Sequence, residues 1–453
     1  MKKHKTYLII IILLCCICGI NSRPIYTNAA TSDSSLKLTS KYAIVVDMDT
    51  GEVIYSLKSE DKTQIASTTK LMTAILLSEN RQKNDTLQMS EAAKALPSSS
   101  IIRDKLPQMQ IGEKITADNV MKGLLMASGN DMAEIIAEGM KGTSKDFSVL
   151  MNNKAKELNM NNTHFYTPNG LDSDNLLEGN DHYSTAYDMA LLGMEAFKHQ
   201  WIKDTIALEK SEFTTVSGLK CELHNTNTNL NKNGCIGGKT GYTDKAGKCL
   251  VAFYSKNNRN LVGVVLGGES PGFFTDMNTI IDHSYKKEKE TIINKNQTLK
   301  NVKLTFKPSK YTDKEVQYDI PVFSKEDITE YKNDFNDSNT SKEIEINDNI
   351  DSWNLDENTP IGKLNITTKL GTKSYDLYTN ISTNDFVKDN EDYINKINHN
   401  VKIIKYSIIA VIILILLLIY IAYRRIQYVK RMKRRKRLRQ TKLNGTYKKK
   451  RKS

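Results

Sequence analysis

Cysteine, proline and tryptophan are scarce here: six Cys, eight Pro and two Trp in 453 residues. Cys15, Cys16 and Cys18 fall inside one apolar N-terminal run, and no small residue directly precedes any of them, so they read as apolar filler rather than lipid-attachment sites. That leaves Cys221, Cys235 and Cys249, an odd number that cannot be fully paired within one chain. Spacing alone does not decide whether Cys221 pairs with Cys235. Cys249 sits in Lys248-Cys249-Leu250-Val251-Ala252-Phe253, the pattern of a buried strand and of an inert thiol. The seven His show no His-Glu-x-x-His spacing, and Gly-x-Ser-x-Gly and a phosphate-cradling glycine loop are both missing. The common metalloprotease, hydrolase-elbow and nucleotide-binding motifs are therefore excluded.

Acidic residues are missing from both ends of the chain. The 30 residues from Arg424 to Ser453 hold 16 Lys or Arg and no acid, and the first 30 residues hold four more. Removing those 20 positive charges from the net +13 leaves the middle at −7. A folded nucleic-acid-binding domain is basic in its own right, so nucleic acid is not the expected partner.

What is present at the ends is apolar. Lys2, Lys3 and Lys5 precede Tyr7–Ile20, an uncharged run too short to span a bilayer comfortably, and Ala29 and Ala30 follow. Residues 1–30 read as a secretory signal, with an uncleaved anchor as the alternative. Residues 406–423 are 18 without a charge, rich in Ile and Leu, with Tyr at both edges. At about 1.5 Å per residue they reach roughly 27 Å, enough for a transmembrane helix. The basic tail, 424–453, is expected to stay in the cytoplasm and touch anionic lipid. The catalytic part then lies outside the cell membrane, attached by a single pass.

Between the ends the texture changes twice. Residues 41–58 read as a hairpin around Asp49-Thr50-Gly51. Helical periodicity runs from Ser67 through Val120–Met140 and Asp146–Leu158, and Thr185 opens another helix with a capping pattern. Strands return at Cys249–Tyr254 and Leu261–Leu266. This order predicts an α/β (α+β) domain over 31–290, with an antiparallel sheet packed on helices. Short alternating strands at Val302–Phe306, Val316–Ile320, Lys363–Thr367 and Tyr375–Tyr378 predict a small all-β domain over 291–390. Lys332–Asn349, rich in Asn, Asp and Ser, reads as a solvated loop, and 391–405 as a linker to the transmembrane helix.

Three short patterns carry chemistry. In Ala66-Ser67-Thr68-Thr69-Lys70, Ser67 stands at the start of a buried helix with Lys70 one turn on, on the same face. A desolvated lysine can be neutral enough to take a serine proton. Alone, the pair is as compatible with an N-cap and a surface lysine. Ser128-Gly129-Asn130 breaks an apolar stretch with a hydroxyl and an amide, and alone reads as a turn. Lys239-Thr240-Gly241-Tyr242 places a cation, a hydroxyl and a glycine where a strand edge could pair with an extended peptide. Alone, it is a glycine-rich loop before a strand.

In this order, with Ser128 61 residues after Ser67 and Lys239 111 after Ser128, the three form the set of penicillin-recognising serine enzymes. The chain resembles the D-alanyl-D-alanine carboxypeptidases, low-molecular-weight penicillin-binding proteins of serine peptidase family S11. The resemblance runs from about Lys41 to Phe274, through the three patterns and through Asn169-Gly170-Leu171-Asp172 and Tyr183-Ser184-Thr185-Ala186. It extends more weakly over 291–390, through Thr359-Pro360-Ile361-Gly362. Two departures stand out: Asn169 replaces a His frequent in the family and reads as structural, and a spanning helix replaces a short amphipathic one.

The resemblance implies that Ser67 is the nucleophile, Lys70 its base and Ser128 the proton relay to the leaving amine. Asn130, Lys239, Thr240 and Gly241 bind substrate, and the backbone N–H groups of Ser67 and Tyr242 form an oxyanion hole. It implies the peptidoglycan stem peptide as substrate, β-lactam antibiotics as inhibitors, and no metal or organic cofactor. A class A β-lactamase shares the patterns, but usually has Asp where Gly129 stands. A DD-endopeptidase or transpeptidase differs in what enters the cleft, and a wall-binding scaffold would have no turnover.

Overall fold

The computed structural model describes residues 36–97, 99–172 and 182–449. The expected signal segment lies outside them. The described residues divide into two compact units, one reaching Ile292 and including 328–341 and 366–372, the other formed by 293–327, 342–365 and the residues from 373 on.

The first unit is built on a five-stranded antiparallel sheet. Its order is Val53–Leu57, Tyr42–Asp47, Arg259–Gly268, Gly247–Lys256 and Cys235–Thr243. The expected hairpin at 41–58 is its first pair, and Tyr42 opposite Leu266 joins the beginning of the domain to its end. Side chains alternate across a strand. Leu261 and Val265 therefore meet the Gly272–Lys286 helix through Met277, Ile280 and Ile281, while Val262, Val264 and Leu266 face the helical layer. Covered on both faces, these strands read as unbroken apolar runs. The Gly272–Lys286 helix is not in the sequence expectation. Nor is the Lys210–Thr214/Lys220–His224 hairpin, whose alternation is short and mostly polar.

On the other face lie the helices Lys70–Asn80, Ala117–Leu125, Asn130–Lys141, Ser144–Glu157 and Ala186–Ala196. The first is buried continuously from Lys70 to Leu77, which explains its apolar character all round. The Thr185 hydroxyl accepts the Asp188 N–H and caps the last of the five, as the sequence predicts.

Residues 332–349 are not a loop. Asn333 caps the short helix Asp334–Asn339, and a strand follows at Ser341–Ile346. The Asn, Asp and Ser content that suggests solvation also supplies helix caps. Within the first unit, the amides of Asn333 and Asn336 donate to the Val53 carbonyl at 2.9 and 2.8 Å.

A second five-stranded sheet runs in the order Thr298–Phe306, Val316–Ser324, Gly371–Tyr378, Gly362–Thr368, Ser341–Ile346. Phe306, Ile320, Val322, Leu377 and Phe386 are buried in the core of the second unit. Residues 391–405, expected as a linker, are instead the first turns of one helix, Glu391–Lys449. The reason is local, because no Pro or Gly interrupts 391–444 and Glu391 and Asp392 favour its first turn. The helix is long and apolar enough to cross a membrane.

Candidate active site

The three motifs converge on the inner edge of the first sheet. Ser67 lies in a 3-10 turn, Ala66–Thr69, that runs straight into the Lys70–Asn80 helix. Ser128 and Asn130 come from the short break between the Ala117–Leu125 and Asn130–Lys141 helices. Lys239, Thr240, Gly241 and Tyr242 lie on Cys235–Thr243, the edge strand. Ala66 and Ser128 both have left-handed backbone, with φ of +47° and +60°. Non-glycine residues in that conformation carry local strain, and such strain gathers at functional sites.

Lys70 is fully buried. Its ammonium donates to Ser67 Oγ at 2.7 Å, to Asn130 Oδ1 at 2.7 Å and to the Asn169 carbonyl at 2.8 Å. Asn130 Nδ2 donates in turn to the Pro97 carbonyl at 3.3 Å, which sets the amide with its oxygen toward Lys70. Burial holds the Lys70 pKa well below the ordinary lysine value. The charge of Lys239 adds to that, and Asp131 opposes it. Asp131 is buried as well, and its Oδ2 accepts from Ser100 Oγ at 2.9 Å and from the Ile102 N–H at 2.8 Å. These bonds hold the segment before Ile102 against the Ser128–Asn130 break.

Lys239 is also fully buried, and burial pushes its pKa down to about 7. Its ammonium donates to Ser128 Oγ at 2.9 Å and to its neighbour's carbonyl, that of Thr240, at 2.6 Å. Thr240 Oγ1 shares a 2.7 Å hydrogen bond with Thr226 Oγ1, and the Thr226 N–H reaches the Met126 carbonyl. Gly241 is where the edge strand meets the turn that carries Ser67. A Cβ there would lie 3.0 Å from the backbone nitrogens of Ser67 and Thr68. The Tyr242 side chain is exposed, with its hydroxyl donating to Asp244 and the Lys248 ammonium 3.9 Å from its ring centre.

Six of the eight expected residues thus lie in two hydrogen-bond groups. Ser67, Lys70 and Asn130 form one, Ser128, Lys239 and Thr240 the other, and Gly241 brings the backbone leading to Tyr242 against Ser67. Sequence reasoning missed three contributors. The Asn169 side chain does have a structural role, since its Oδ1 accepts from the Leu171 N–H, but its carbonyl binds Lys70. Thr226 and His182 stand alone in sequence and belong to no motif. Cys221, Cys235 and Cys249 are free thiols, and burial pushes that of Cys249 up to about 12. Glu79, Glu195 and His199 bring potential metal-ligand atoms within 4.8 Å of one another, yet Lys154 already pairs with Glu79 and Lys198 with Glu195.

A family model described as D-alanyl-D-alanine carboxypeptidase matches residues 28–270. The chain is 32% identical over 325 residues to the D-alanyl-D-alanine carboxypeptidase DacF of Bacillus subtilis, covering 70% of this chain and 79% of that one. It is 28% identical over 240 residues to DacA of Escherichia coli, covering 50% of this chain and 56%, about half, of that relative. The crystal structure of a D-alanyl-D-alanine carboxypeptidase from Mycobacterium tuberculosis superposes with a TM-score of 0.51 at 27% identity, covering 56% of this chain and 94% of that one.

Proposed function

Because the chain belongs to the D-alanyl-D-alanine carboxypeptidase family of serine peptidases, we propose that it trims peptidoglycan stem pentapeptides by forming an acyl-enzyme on Ser67 and releasing the terminal D-alanine. One observation carries this reading: the buried Lys70 amine touches Ser67 Oγ and has fixed acceptors for its two remaining hydrogens.

A neutral amine has two N–H bonds and one lone pair. Asn130 Oδ1 and the Asn169 carbonyl take the two N–H groups, so the lone pair is left facing Ser67 Oγ. Burial, and after it the charge of Lys239, favours the neutral form of Lys70. Ser67 Oγ attacks the carbonyl of the penultimate D-alanine as its proton moves to Lys70. The backbone N–H groups of Ser67 and Tyr242 receive the developing oxyanion, and one such donor is worth about 2.7–4 kcal/mol. Ser128, bonded to Lys239, relays to the leaving amine the proton that Lys70 took from Ser67, which returns Lys70 to its neutral form. Lys239 and Thr240 hold the terminal carboxylate, while the substrate backbone pairs along the edge strand. Water then releases the shortened peptide and restores Ser67. A β-lactam acylates Ser67 by the same attack on its strained amide.

The Glu391–Lys449 helix supplies the membrane anchor, with residues 406–423 in the bilayer, the basic tail in the cytoplasm and the catalytic unit outside. Mass analysis of a stem pentapeptide incubated with the ectodomain tests the activity. Loss of one D-alanine supports the carboxypeptidase. Cleavage only of cross-linked dimers indicates an endopeptidase, and an untouched substrate a scaffold.

A further inference from the structure

His182 is buried, with 8% of its surface exposed, and it touches neither Ser67 nor Lys70 through any of its hydrogen bonds. Its ring nitrogens nevertheless join the two segments that place those residues. Nδ1 accepts the Tyr166 N–H at 3.1 Å and faces the Thr167 N–H at 3.4 Å. Backbone N–H groups can only donate, so Nδ1 carries no proton. In the neutral ring the proton then sits on Nε2, which lies 2.8 Å from Thr69 Oγ1. Thr69 Oγ1 in turn donates to the Ala66 carbonyl at 2.7 Å. His182 thus connects the 3-10 turn that carries Ser67 to the 166–170 stretch, whose Asn169 carbonyl accepts from Lys70.

The rest of that junction is equally close-fitted. Thr73 Oγ1 donates to the Pro168 carbonyl at 2.6 Å. Gly170 has φ +79°, and a Cβ on it would lie 2.0 Å from the Ala66 carbonyl oxygen and 2.6 Å from Thr69 Oγ1. Phe165 meets the His182 ring edge-on at 5.8 Å between centres. Burial, with the charges of His164 and Lys70 adding to it, holds the ring neutral and its pKa down to about 3.

We propose that His182 is a positioning residue for acylation: one tautomer, selected by the Tyr166 N–H, locks the Ser67 turn to the carbonyl that orients the Lys70 amine. Two replacements separate its two ends. In His182→Asn the amide oxygen can replace Nδ1 and keep the loop bond, while the Thr69 bond is lost. In His182→Gln the amide nitrogen can replace Nε2 and keep the Thr69 bond, while the loop bond is lost.

This inference rests on the acylation reading above, so the wild-type protein is measured first. If penicillin does not label it, that reading fails, and the His182 variants are then read by D-alanine release from pentapeptide. The measurement is the rate of acylation by a fluorescent penicillin against pH, normalised to active sites by titration so that unfolded protein does not count. Both variants should acylate between about ten and a hundred times more slowly, as expected for a small misplacement of reacting groups. The His182→Gln variant, with the Asn169 carbonyl loosened, should admit water around Lys70. Its acid limb then moves to higher pH by about half a unit or more, because burial is the main cause of the lowered pKa. A double-mutant cycle of His182→Asn with Thr69→Val should be strongly non-additive. Wild-type rates in both folded variants, an unmoved acid limb in His182→Gln, or additive effects with Thr69→Val would overturn the proposal. A rate loss fully removed by the active-site normalisation would overturn it too, since that describes a merely structural residue.

Discussion

Lys70 Nζ lies 2.7 Å from Ser67 Oγ, and its two other hydrogen-bond directions end on Asn130 Oδ1 and the Asn169 carbonyl. Three fixed partners for one nitrogen determine its chemistry. When the amine is protonated all three accept from it, and when it is neutral the hydroxyl is the partner able to donate back. The nearby Lys239 ammonium favours the neutral form of Lys70 and has Ser128 and the Thr240 carbonyl as its own acceptors.

That division of labour predicts opposite tolerances at the two lysines. Lys70→Arg keeps a cation that does not deprotonate at ordinary pH, so acylation should fall by about a hundredfold or more. Lys239→Arg keeps a cation for the carboxylate and should cost less. Stopped-flow acylation with penicillin ranks the two, and a tolerated Arg at 70 with an inactive Arg at 239 would reverse the assigned roles.

The pH profile should show the same division. A lysine loses its charge as pH rises. With the Lys239 pKa pushed down to about 7, carboxylate binding by the free enzyme should weaken above that pH. For a D-Ala-D-Ala peptide, kcat/KM should therefore decline on the alkaline side from near 7, far below the usual lysine range. The C-terminal amide of the same peptide should react more slowly and lack that decline. Matching alkaline limbs for acid and amide would separate Lys239 from carboxylate binding.

Gly241 is fixed by contact rather than by φ. A methyl at this position meets the Ser67 and Thr68 nitrogens at 3.0 Å, and neither can move without displacing the turn that carries Ser67. Gly241→Ala should cost about 1–3 kcal/mol of stability and reduce acylation at least about tenfold. Thermal melts and penicillin labelling of the same sample check both numbers. Unchanged labelling would show that the strand yields there without penalty.

The Glu391–Lys449 helix predicts the topology. Cutting the chain after residue 400 should release a soluble ectodomain that still reacts with penicillin, since no motif residue lies beyond Tyr242. On intact cells, external protease should digest the part of the chain before the helix and spare an epitope at Ser453, as the proposed inside placement of the basic tail requires. Digestion of the epitope would refute the orientation.

Much of this site is legible in sequence because each motif is local. Ser67 and Lys70 share one helical turn, Ser128 and Asn130 one break, and Lys239 to Tyr242 one strand. What stays hidden is contributed by the fold. The Asn169 carbonyl is a backbone atom, which any residue at that position supplies. Thr226 and His182 act through partners 14 and 113 residues away in sequence. At 332–349 the same residue types encode caps and loops. The stretch 391–405 gave no apolar run to mark it, and its helix is set by the absence of Pro and Gly.

The central claim, that Ser67 is acylated with Lys70 as its base, is tested most directly by mapping the penicillin adduct. Labelled ectodomain, digested and sequenced by mass spectrometry, should carry one penicilloyl group on the peptide containing Ser67. Folded Ser67→Ala protein should carry none. An adduct on another residue, or undiminished labelling of the folded Ser67→Ala protein, would contradict the account.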